Sequence, residues 1–125
     1  MKVAVKMIVH DLLADKKETL IDTIGLLNGD RLLYKESEKP RITHTIVFKD
    51  DQISIERKAD IVSLTILKEE GSTARVTSEY GVMELPVEMI GRRKQNDEWM
   101  AEYKVLSGSE TVLHQKVIWQ LLPLS

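Results

Sequence analysis

The sequence has no cysteine among its 125 residues. That excludes disulfides, thiolate nucleophiles and cysteine-ligated zinc. Glycine occurs six times and proline three times, so collagen-like and low-complexity classes are also out. No apolar run approaches the ~20 residues that a membrane-spanning helix needs. Lys6, His10 and Asp11 interrupt the N-terminal apolar stretch, so a secretory leader is not expected either. Neither sign of charge dominates: 18 Lys+Arg stand against 20 Asp+Glu, a formal −2. Such a balance offers little general attraction to nucleic acid or to an anionic membrane. The expectation is a cytoplasmic protein with neither as a partner.

Motifs of chemistry are missing as well. There is no P-loop, no Gly-x-Gly-x-x-Gly turn and no Gly-x-Ser-x-Gly elbow. His10, His44 and His114 fall on three separate segments, without the close spacing of metal ligands. A closed barrel could still gather three histidines around zinc, but ordinary side chains are the expectation. Asp50-Asp51 and Glu69-Glu70 sit in turns and do not follow the alternation of a calcium loop. Arg92-Arg93-Lys94 is the one basic run, and it reads as a solvated loop. No metal, no cofactor and no enzymatic activity are expected.

What is present is a soluble composition, 42% hydrophobic and 30% charged, of a size that suits one domain over residues 1–125. Turn-like clusters recur at regular intervals, among them Asn28-Gly29-Asp30, Asp50-Asp51, Glu69-Glu70-Gly71 and Ser107-Gly108-Ser109. They leave about ten segments of roughly 6–12 residues, the pattern of an all-β sandwich or barrel. Within the segments, apolar residues alternate: Val3, Val5, Met7 and Val9; Ile53 and Ile55; Val62, Leu64 and Ile66; Met83, Leu85, Val87 and Met89. Period two turns one stripe to a core and the other outward.

Asn28-Gly29 predicts a hairpin with a type I′ turn, joining residues 19–27 to 31–38. Asp50-Asp51 predicts another, joining 43–49 to 52–57. Pro86 demotes its strand to an edge or a bulge. Residues 85–94 could hold a helical turn. Leu113, Val117 and Leu121 fit helical spacing too, but this last segment is read as a strand ending in a buried Trp119.

Arg57 continues the register of Ile53 and Ile55, which points a guanidinium along an apolar face. A charge there needs a partner. Glu36, in register with Leu32 and Tyr34, is the candidate. The pair reads either as a polar anchor for a ligand carboxylate or as an ion pair that fixes strand register.

Several stretches resemble the YwiB-like bacterial proteins. Leu33-Tyr34-Lys35-Glu36-Ser37 is similar to their Tyr-x-Glu strand, and Ile53-Ser54-Ile55-Glu56-Arg57 to their Ile-x-Ile-x-Arg strand. Residues 76–85 resemble their Thr-x-x-Tyr-Gly junction. Tyr103 and the strand after Gly108 sit where those proteins have a closing hairpin. One departure is Ala59, where the family tends to have glycine. The resemblance implies an antiparallel meander closed into a lipocalin-like, calycin-type β-barrel, with no established activity or catalytic residues. Such a barrel would have about eight to ten strands.

Two functions are weighed against each other. The first is binding of a small apolar or carboxylate-bearing ligand inside the barrel. Its candidate residues are Arg57, Glu36, Tyr34, Tyr80, Tyr103 and Trp119, with Val62, Leu64, Ile66, Met83, Leu85 and Val87 as apolar lining. The alternative is a non-enzymatic interaction module acting as a homodimer, through the edge near Pro86 or the last strand, and covering Ile8 or Met100. An acid–base site of Tyr80, Glu36 and Arg57 has only fold analogy behind it.

Overall fold

The computed structural model describes residues 1–124, and they form ten antiparallel strands with no helix. These are β1 (Lys2–Asp11), β2 (Lys16–Asn28), β3 (Arg31–Glu38), β4 (Arg41–Phe48) and β5 (Ile53–Lys58), followed by β6 (Val62–Leu67), β7 (Thr73–Ser78), β8 (Gly81–Lys94), β9 (Glu98–Ser107) and β10 (Glu110–Pro123). Each pairs with the next in sequence, and β10 returns to β1, so the sheet is a closed barrel. Closure gives every strand a partner on both sides over at least part of its length. No helix among the described residues could cross a membrane.

Cross-strand register decides which stripe of each strand faces in. Val3, Val5 and Met7 of β1 are buried, and they stand opposite Pro123, Leu121 and Trp119 of β10. Ile46 and Phe48 of β4 stand opposite Ile55 and Ile53 of β5, and Ile53 opposite Leu67 of β6. Trp99 and Trp119 face each other on β9 and β10. Both are almost completely buried, as are Leu32, Ile46, Ile53 and Leu67. Each such side chain contributes about 1.5–3 kcal/mol by leaving water. Together they plug the end of the barrel that carries the β2–β3, β4–β5, β6–β7 and β8–β9 turns, here the lower end.

Several expectations change. Val62, Leu64 and Ile66 face outward, because Ile53 and Ile55 pair with Leu67 and Thr65, which puts the other stripe of β6 inside. The first hairpin turns on Gly29-Asp30 rather than Asn28-Gly29. Positive φ occurs at Gly29 alone, which fits a type II′ turn, the form that places glycine first. That hairpin is also short: only Gly25 to Asn28 pair with β3.

Residues 85–94 hold no helical turn. They continue β8, with a bulge between Met89 and Gly91. Pro86 is the last residue of β8 paired to β7, and Val87 the first paired to β9. The proline sits where the strand changes partner, a place that tolerates a missing N–H. Residues 110–123 form β10, a strand as expected.

Candidate functional site

One row of side chains runs across β3, β4 and β5 on the inside of the barrel. Tyr34 stands opposite His44, and His44 opposite Arg57. Glu36 joins them from a bulge in β3: Lys35 pairs with Thr43 and Ser37 with Ile42, leaving Glu36 as the extra residue. A bulge re-aims a side chain in this way.

The hydrogen bonds of the row have a defined direction. Trp119 donates its indole N–H to the Tyr34 oxygen at 3.1 Å. Tyr34 Oη lies 3.2 Å from His44 Nδ1, and His44 Nε2 lies 2.8 Å from Glu36 Oε1. An ionised carboxylate only accepts, so Nε2 carries the proton and Nδ1 accepts from the tyrosine. From the other side, Arg57 donates Nε–H to Oε1 and Nη2–H to Oε2, both at 3.0 Å. The Tyr34 and His44 rings also stack, with centroids 4.8 Å apart.

Exposure rises along the row. Tyr34 is 2% exposed, whereas the side chains of His44, Glu36 and Arg57 are 6%, 29% and 41% exposed. The row leads from the packed core to the upper mouth.

Each group is held in its resting form. Burial pushes the Tyr34 hydroxyl above its usual range. Burial likewise holds His44 below the ordinary imidazole value, against the pull of Glu36. The Arg57 hydrogen bonds, helped by His44, hold Glu36 down at about 2. The result is a protonated tyrosine, a neutral histidine and a fixed ion pair. That set suits binding and orientation better than proton transfer near neutral pH.

The upper inner wall is less filled than the lower. Ile55, Ala74, Leu85 and Leu113 are only partly buried, and Met83, on the inward stripe, is 57% exposed. Tyr103 is buried beside them and accepts a hydrogen bond from Gln115 Nε2 at 2.6 Å.

Of the expected site residues, Tyr34, Tyr103 and Trp119 lie inside the barrel, where they are packed core rather than a free wall. Glu36 and Arg57 meet each other at the mouth. Tyr80 is a correction. It lies in the turn between β7 and β8, 92% exposed, with its backbone N–H on Ser78 Oγ. The ladder ends at Ser78–Gly81, so strand alternation no longer aims Tyr80 inward.

His44 is expected from the sequence to be an ordinary side chain, and instead it sits at the centre of the row. The signal was there: His44, Ile46 and Phe48 alternate in one stripe. His10 and His114 lie elsewhere, each against its own carboxylate, Asp15 and Glu102. Among the described residues no cluster of metal-ligating side chains forms.

No protein family matches the chain in sequence, and no curated protein does. Its shape does find a counterpart. The crystal structure of the ywiB protein from Bacillus subtilis superposes with a TM-score of 0.57, over 95% of this chain and 89% of that one, at 10% identity. The fold is YwiB-like. At that identity the likeness concerns the path of the chain alone, and the Tyr34–His44–Glu36–Arg57 row stands on its own geometry.

Proposed function

We propose that this chain is a lipocalin-like, non-enzymatic carrier or sensor of the cytoplasm, and that a small amphipathic molecule binds at the upper mouth of its barrel. The observation that supports this most is the state of Arg57. Glu36 engages its Nε and one Nη2 hydrogen, fixing the plane of the guanidinium. The three remaining N–H donors have no protein acceptor among the described residues. They form a preoriented fork at the rim of an incompletely filled apolar wall.

A ligand carboxylate, or another planar acceptor, fits that fork. The apolar remainder of the ligand would lie against Leu85, Met83 and Ile55. Glu36 cancels the charge of Arg57, so selection comes from hydrogen-bond geometry more than from net attraction. The methionine suits ligands of varied shape.

The test is native mass spectrometry of protein purified gently from its host, followed by solvent extraction. An added mass of roughly a few hundred daltons, the scale of a ligand for such a site, is the expected result. It should be lost in Arg57→Leu while the fold persists. A clean unliganded mass in every preparation overturns the proposal.

A further inference from the structure

Strand β2 is flanked on both sides over only part of its length. It pairs with β1 from Lys16 to Leu26, but with β3 only from Gly25 to Asn28. The other edge of residues 16–24 has no strand beside it. Among the described residues no other backbone group bonds to it. Across the gap, residues 35–38 of β3 pair with β4 alone.

Gly25 is the point where the two strands touch before they part. A Cβ there would lie 2.8 Å from the Leu33 carbonyl oxygen and 2.9 Å from Val5 Cγ2. In a two-residue hairpin the closing pair, here Asn28 and Arg31, is hydrogen-bonded. Alternation then turns the N–H and C=O of Ile24 and Asp22 toward the gap.

Free edges recruit other strands unless lysines, prolines or bulges blunt them. The far end of β2 is blunted by Lys16, Lys17 and a bulge at Leu20. The stretch from Ile21 to Ile24 has none of these. A cleft of about 450 Å3 occupies the gap beside it. Ile24, Leu26 and Leu33 form its apolar floor and are 61%, 53% and 38% exposed. Lys2 lies near one end, opposite Leu26, and Arg41 near the other, at the start of β4. Lys35 is taken by Glu38 at 3.2 Å, whereas Lys2 and Arg41 have no such partner among the described residues.

We propose that this cleft is a strand-addition site. Its occupant is an extended segment of another polypeptide, apolar at its centre and acidic at both ends, lying along β2 beside Ile24 and Asp22. Backbone bonds to those two residues hold the segment, the floor takes its apolar side chains, and Lys2 and Arg41 meet its acidic ends. A single extended chain suits a gap bounded by β3. A second copy offers only the same two edges, each still attached to its own barrel wall.

The experiment uses the whole protein and two synthetic peptides, acetyl-Glu-Val-Thr-Val-Thr-Val-Glu-amide and its counterpart with lysine at both ends. Amide hydrogen exchange is followed by NMR. The acidic peptide should slow exchange at Asp22 and Ile24, and the lysine-ended peptide should not. The double substitution Lys2→Glu with Arg41→Glu should weaken the acidic peptide about tenfold, the size expected for two exposed ion pairs reversed. Unchanged exchange at millimolar acidic peptide overturns the proposal. So does equal binding of both peptides. Protection that grows with protein concentration in the absence of peptide also overturns it, because a second copy is then the occupant. Should the double variant fail to fold, the comparison of the two peptides on the unaltered protein decides alone.

Discussion

Trp119 and Tyr34, 85 positions apart in sequence, are joined across the barrel by the indole N–H and the phenol oxygen. The bond ties β10 to β3, strands that share no ladder. It also anchors the buried end of the polar row, whose direction the Glu36 carboxylate sets from the other end.

Replacing Trp119 with phenylalanine keeps most of the packing and removes that donor. We expect a loss of about 1–3 kcal/mol, one hydrogen bond plus some repacking. Trp119→Ala should cost about 3–5 kcal/mol, because it also leaves a cavity. Urea unfolding midpoints at constant slope check both values. Near-equal losses would show that the hydrogen bond dominates and the ring does not.

Acid should weaken the fold in two stages. His44 titrates below its ordinary 6.5 in the folded chain, because burial disfavours its charge. The unfolded chain therefore takes up that proton first, and stability falls as pH drops below about 6.5 toward the folded value. Glu36 is held at about 2 against an ordinary 4.5. Its contribution is complete above about 4.5 and is lost as pH falls toward 2. Stability measured against pH should lose the first stage in His44→Phe and the second in Glu36→Gln.

Substituting Arg57 by leucine should release the Glu36 carboxyl from its low value and move it upward, as read by NMR titration of the side-chain carboxyl. The effect on stability should stay below about 1 kcal/mol, because the pair sits at a solvated mouth. A titration midpoint that stays near 2 would assign the depression to His44 instead.

Much of this arrangement was legible from the strands alone. The even turns and the alternation of Val3, Val5 and Met7 announced an antiparallel meander, and Ile53-Ile55-Arg57 announced a guanidinium on an inward stripe. The Glu36 partnership was legible for the same reason, although its means was not. A bulge adds one residue without any mark in composition, and it is the bulge that brings Glu36 to His44 and Arg57. Strand β6 misled because both of its stripes are plausible: Val62, Leu64 and Ile66 look more apolar than Ser63, Thr65 and Leu67. Register with β5 decides between them, and register is a property of pairs of strands. Tyr80 failed for a local reason, since alternation ends where a turn begins.

Gly25→Ala is expected to destabilise by about 1–3 kcal/mol, since the new methyl meets backbone as well as a side chain. The damage should concentrate where β2 touches β3, with faster amide exchange at Leu26 and Leu33 than at the β1–β10 ladder. Uniform acceleration would mean that the methyl acts on the whole barrel.

Tyr80→Ser should change stability by less than about 0.5 kcal/mol, the usual range for a surface substitution. A larger loss would give this exposed ring a structural task that its position does not suggest.

The short contact between β2 and β3 has a further meaning for how the wall breathes. Long ladders bind β1 to both of its neighbours, so fluctuations should unzip the wall first at the brief run from Gly25 to Asn28. Unzipping there would wet Tyr34 and Met7 from the flank, without disturbing the mouth. Such unzipping would give solvent protons a route to the middle of the polar row through the flank of the barrel, separate from the exposed end at Arg57.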